Sequence, residues 1–137
     1  MGRRKQVDLL IAKAAQDEYA LRTFLNDPEA PVELFGFHAQ QAAEKLLKAV
    51  LTACEVVYPL THRLAELIDL AREHGINIVD EVDEARYLTP FAVEFRYDIF
   101  PLEPEEPVDK DEIYEQVMKL HSWALSTIET CCGDSIS

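Results

Sequence analysis

Glycine is scarce in this chain, with Gly2, Gly36, Gly75 and Gly133 the only four in 137 residues. No GxGxxG or GxxxxGKS/T pattern includes them, which excludes the glycine-rich backbone cradles that hold phosphates in dinucleotide and P-loop folds. No HExxH or CxxC occurs, and His38, His62, His74 and His121 are scattered, so no zinc-ligand spacing is present. No apolar run approaches the roughly 20 residues of a membrane span. After the basic start, Asp8, Lys13 and Gln16 interrupt what would be a signal-peptide core. Cations are also few: 13 Lys and Arg stand against 26 Asp and Glu, a net charge of −13. Binding to a nucleic-acid backbone depends on clustered Lys and Arg that release counterions, so duplex DNA is not an expected partner. Three cysteines remain. Cys54 lies on an apolar helical stretch and is expected in the core, while a bridge between the adjacent Cys131 and Cys132 would be strained. These absences imply a cytoplasmic protein with no metal, no cofactor and no membrane contact.

What is present is helical periodicity. Stretches of alternating apolar and polar residues are missing, whereas apolar residues recur at spacings of three and four along the whole chain. A first helix is expected over about 5–25, with Leu10, Ala14, Ala20 or Leu21, and Phe24 on one face. "NDPEAP" at 26–31 ends it. A second helix is expected over 32–56, broken by "YPLT" at 58–61. Thr61 can cap a third, whose stripe of Leu64, Leu67, Ile68 and Ala71 stops at His74-Gly75. Asp80 can cap a fourth helix through "EVDEARYL", with Val82, Ala85 and Leu88 inward, and Pro90 demands a kink or restart. After the proline-punctuated "PLEPEEP", Asp109 and Glu112 resemble a capping box. The last helix follows with Ile113, Val117, Leu120, Ala124 and Ile128, and a flexible tail is expected from 131 to 137. The expected fold is one all-α domain over 1–137, an up-and-down bundle of four to five helices.

The stretch "FHAQQAAEKLLKAVL" at 37–51 carries the most information. At 100° per residue, Ala39, Ala42, Ala43, Leu46, Leu47, Ala49, Val50, Ala53 and Cys54 cover more than half the circumference, which marks a central helix. The other arc gathers His38, Gln41, Glu44, Lys45, Lys48, Thr52 and Glu55. Glu44 and Lys48 stand four apart in the favourable order, as in ordinary surface pairs. Two readings stay open: a solvated face, or a polar groove bordered by other helices or a second subunit. A local positive pocket is compatible with the negative total.

"FHAQQAAEKLLKAVL", "THRLAELIDLA" at 61–71 and "LTPFAVEFRYDIF" at 88–100, in this order, resemble a HEPN domain over roughly residues 5–130. The resemblance implies a helical bundle that forms homodimers, often beside a minimal nucleotidyltransferase in a toxin–antitoxin-like pair. Some members bind nucleotides, and many are metal-independent endoribonucleases marked by an Arg and a His with four to six residues between them.

Arg96 matches that Arg, but Pro101, Leu102 and Glu103 occupy the positions where the His would fall. Positioned general acid–base groups typically contribute about 10²–10⁴-fold, so the gap weighs against this cleavage chemistry. The segment is similar instead to the family's Arg-Tyr-Pro variant, with Asp98 where Pro is usual. The implied role is a nucleotide-binding or partner-binding module. Arg96 would fork onto phosphate, Tyr97 would stack on a base, Lys45 and Lys48 would add charge, and Gln41 and His38 would hydrogen-bond. Such a small set with a stacking face suits a nucleotide or single-stranded RNA. The alternatives are a ribonuclease that recruits His38 or His62 beside Arg96, and a purely structural oligomerising bundle. In the plainest reading, Arg96 pairs with Glu44 or Glu94, and His62 makes a local hydrogen bond.

Overall fold

The computed structural model describes residues 2–88 and 109–133, and within them every regular element is a helix. The helices are α1 (Arg3–Leu25), α2 (Val32–Ala53), α3 (Leu64–Glu73), the single turn α4 (Asp80–Asp83) and α5 (Lys110–Gly133). A 3₁₀ segment, Glu84–Leu88, continues from α4. The expected all-α bundle is therefore observed, with α2 at its centre, packed chiefly against α1 and α5. Its arc of Ala39, Ala42, Ala43, Leu46, Leu47, Ala49, Val50 and Ala53 is buried as the periodicity requires. The small residues there allow neighbouring helices to approach closely, while Phe35, Leu46 and Leu47 fill the spaces between them. The stripes on α3 and α5 and the trio Val82, Ala85 and Leu88 are buried as well.

Element ends differ from expectation in instructive ways. Thr61 is not the cap of α3; the N-cap is Arg63, and Thr61 Oγ1 accepts a hydrogen bond from the Arg63 N–H at 3.1 Å. Val79, not Asp80, precedes α4, and only one α-turn forms before the backbone tightens to 3₁₀. Asp109 does behave as a cap, its Oδ1 accepting from the N–H groups of Asp111 and Glu112 at 3.0 and 3.3 Å. The expected kink at Pro90 and the segment containing Arg96 and Tyr97 lie outside the described residues.

Two helices end in the same way. At α3, the Gly75 N–H bonds Arg72 O and the Ile76 N–H bonds Ala71 O, with Gly75 at φ +79°. At α2, the Glu55 N–H bonds Thr52 O and the Val56 N–H bonds Leu51 O, with Glu55 at φ +60°. Both are Schellman terminations, which need one left-handed residue. Glycine fills that place at α3; at α2 a glutamate does, against the steric preference of an L-residue.

Cys54 corrects the sequence reading. It is only partly buried, and it forms a disulfide with Cys131, 77 residues away. Cys131, where the flexible tail is expected to begin, belongs to α5, which runs on to Gly133, and residues 134–137 lie outside the described residues. Along the chain, the two cysteines offered no spacing that would pair them. Only the packing of α2 against α5 brings their Cα atoms to 5.6 Å, inside the range a disulfide requires.

Candidate functional site

The polar arc of α2 is not simply wet. Glu44 is 5% exposed and Gln40 is fully buried, and both are held in one hydrogen-bonded network. Gln40 Nε2 donates to Glu44 Oε1 at 3.2 Å and to the backbone oxygen of His62 at 2.9 Å, and Gln40 Oε1 accepts from Gln41 Nε2 at 2.7 Å. Lys48 Nζ donates to Glu44 Oε2 at 3.0 Å. His62 Nδ1 faces both Glu44 oxygens, at 3.0 and 3.2 Å. A carboxylate can only accept, so Nδ1 is the donor in this contact. The imidazole itself is 65% exposed. Lys48 also lies 5.8 Å from the centre of the Tyr58 ring, a cation–π distance.

A second cluster joins α1 to α2. Asp17 is buried, and its Oδ1 lies 2.9 Å from His38 Nδ1 while its Oδ2 accepts from Lys45 Nζ. His38 also packs edge-on against Phe37 and near Phe24. A third carboxylate–imidazole contact joins α1 to α5: Glu18 Oε1 is 2.8 Å from His121 Nδ1. Neither His121 Nδ1 nor Glu18 Oε2 has a hydrogen-bond partner among the described residues.

The electrostatics follow from burial. For Glu44, burial pushes the pKa up, but the hydrogen bonds from Lys48, His62 and Gln40 outweigh it, and the net shift is below the ordinary carboxylate value. Glu18 goes the other way. Burial raises its pKa, and the opposing pull of His121 and Arg22 does not offset it. The Glu44–Lys48 pair is thus no ordinary surface pair, since its side chains are 6% and 14% exposed. The two lysines also do not make a free positive pocket. Lys45 is matched by Asp17 and Lys48 by Glu44, so the face has no net charge while its imidazoles are neutral.

His38, Gln41, Lys45 and Lys48 therefore do share one face, and His62 joins them from the 54–63 loop through a long-range rather than local contact. Glu44 has Lys48, His62 and Gln40 as its partners among the described residues, and the expected pairings of Arg96 lie outside them. The residues that sequence reasoning missed are Asp17, Glu18 and Gln40. A signal existed: Ala14, Asp17, Glu18 and Leu21 follow the i, i+3, i+4, i+7 spacing of a buried stripe, with carboxylates at its middle. On another side, α4, the 3₁₀ segment and α5 border a hollow of about 320 Å³ lined by Glu81, Glu84, Glu112, Glu115 and Lys119, among others. No predicted site residue lies there. Among the described residues, no cluster of three or more His, Cys, Asp or Glu is placed to hold a metal ion, and no helix is long and apolar enough to cross a membrane.

Comparison with known proteins places this arrangement in context. The family model described as HEPN domain matches residues 7–127, which include most of α1, all of α2, the 54–63 loop and most of α5. No curated protein and no solved structure gives a significant match.

Proposed function

The chain belongs to the HEPN domain family, and from that premise we propose that it is a binding module whose α2 face receives a nucleotide or a single-stranded RNA end. One observation carries the reading. Buried Asp17 and Glu44 each hold a lysine and an imidazole, so four cationic or proton-carrying groups are fixed along one face of α2. Buried carboxylates are costly unless fully partnered, and a merely solvated face does not need them. Preorganised N–H donors suit phosphate oxygens, and Gln41 and Tyr58 add an amide and a ring beside them.

Because the lysines are already matched by carboxylates, recognition depends on directed hydrogen bonds more than on net charge. Affinity is therefore modest. Arg96 and Tyr97 are the remaining proposed contacts. The module acts by binding, because no His follows Arg96 at 101–103. We further propose that it works as a homodimer beside a minimal nucleotidyltransferase, in a toxin–antitoxin-like pair.

Titration calorimetry with nucleoside mono-, di- and triphosphates and with short single-stranded RNA tests this reading. Binding that weakens about tenfold or more in Lys45→Ala and His62→Ala, the loss of about one charge-assisted hydrogen bond, supports it. No heat with any of these ligands overturns the nucleotide reading and leaves only the protein partner.

A further inference from the structure

Cys54 and Cys131 stand outside the network above, yet they sit where its geometry is set. Cys54 is the C-cap of α2, directly before the left-handed Glu55, and Cys131 is in the last turns of α5. Between Cys54 and α3 runs the 54–63 loop, which delivers Tyr58 to Lys48 and His62 to Glu44. The loop is anchored at its ends, by the Glu55 and Val56 N–H bonds to α2 and by the contacts of His62, and its middle is thinly packed. Val56 is buried, but Val57 is 91% exposed and Leu60 fully exposed. A segment with so little burial opens locally at low free energy unless something ties it down.

We propose that Cys54 and Cys131 form a redox-controlled modification site: oxidation to the disulfide pins the root of the 54–63 loop to α5, and reduction releases it. The inference does not depend on what the α2 face binds. Both cysteines are partly exposed, so a small oxidant can reach them. A low-molecular-weight disulfide such as oxidised glutathione suffices. One cysteine thiolate attacks it, forming a mixed disulfide and releasing one glutathione thiolate. The other then attacks the protein sulfur of that mixed disulfide, the Cys54–Cys131 bond forms, and the second glutathione leaves. Two protein thiols are oxidised and one small disulfide is reduced to two thiols. Cys132 is the competing thiol, but a bridge to its neighbour Cys131 would be strained.

The full chain, equilibrated in glutathione buffers of graded ratio, quenched and alkylated, reports its thiol count by intact mass. The reduced end takes up one alkyl group at each of Cys54, Cys131 and Cys132; the oxidised end takes up one, at Cys132. Amide hydrogen exchange of residues 55–63 is then about tenfold or more slower in the oxidised protein, the size of a modest local stabilisation. In Cys131→Ser, which leaves the α2 cap intact, exchange in this loop no longer depends on the buffer. Full alkylation at every ratio, a bridge found in a peptide through Cys132, or equal exchange at both ends of the series would each overturn the proposal.

Discussion

Replacing Glu44 with Ala removes the acceptor shared by Lys48, His62 and Gln40. The remaining groups do not suffer equally. His62 is mostly exposed and regains water, and the Lys48 ammonium can extend toward solvent on its flexible stem. Gln40 cannot; it is fully buried and retains only the His62 carbonyl as a strong acceptor for its amide N–H groups. Truncating one member of a buried ion pair costs about 3–5 kcal/mol where the other charge stays trapped. The escape route for Lys48 moves the expected cost to about 2–3 kcal/mol. For 137 residues, an unfolding entropy near 2 cal/mol/K per residue totals about 0.29 kcal/mol/K, so the melting midpoint falls by about 7–10 °C.

The pH dependence supplies a sharper test of that reasoning. The folded pKa of Glu44 lies below the ordinary glutamate value because the hydrogen bonds from Lys48, His62 and Gln40 outweigh the burial that pushes it up. A lowered carboxylate pKa contributes stability above the unfolded value and loses it as pH falls through the folded value. The gap between wild type and Glu44→Ala is therefore full at pH 7 and closes below about pH 4.5. Urea titrations followed by circular dichroism at several pH values measure it, and a cycle with Lys48→Ala isolates the pair. A cost under about 0.5 kcal/mol at pH 7, the range of ordinary surface substitutions, would refute the network as a structural element. A gap that stays constant into acid would refute the charge argument.

Two further perturbations probe other parts of the molecule. Glu18 has a raised folded pKa from burial, so its stabilising contribution is present below the ordinary glutamate value and is lost as pH rises through the folded value. Glu18→Gln is accordingly expected to be more stable than wild type at pH 7, with the advantage vanishing in acid, as read from urea midpoints against pH. Glu55→Gly relieves the left-handed conformation after α2, and it gives up only an exposed ion pair with Arg3 and some unfolded-state entropy. A net gain of about 0.5–1 kcal/mol by denaturant unfolding is expected, and a loss would show that the Arg3 contact outweighs the backbone strain.

The course of each helix was legible because burial imposes a period. Leu64, Leu67, Ile68 and Ala71, or Ile113 through Ile128, can only be a helix with one wet side. The width of the apolar arc on α2 likewise announced its central place. Periodicity reports which residues face inward, however, and not what they meet there. Glu44 and Lys48 read as a surface pair because nothing in their spacing shows that the 54–63 loop closes over them. Capping was only partly legible for a related reason. At Asp109 the side chain bonds the next backbone turn, whereas the start of α3 depends on how the preceding loop enters.

What the sequence determined by itself is thus the all-α class, the central helix, the family and the placing of His38, Gln41, Lys45 and Lys48 on one polar arc of α2. Those properties depend on local spacing and residue chemistry. Tertiary structure alone decided that Asp17 holds His38 and Lys45, that His62 joins Lys48 on a buried Glu44, that Glu18 faces His121, and that Cys54 meets Cys131 across 77 residues. Each of these contacts joins segments that are distant in the chain, and their geometry depends on how α1, α2, the 54–63 loop and α5 pack together. No short-range pattern records such a distance.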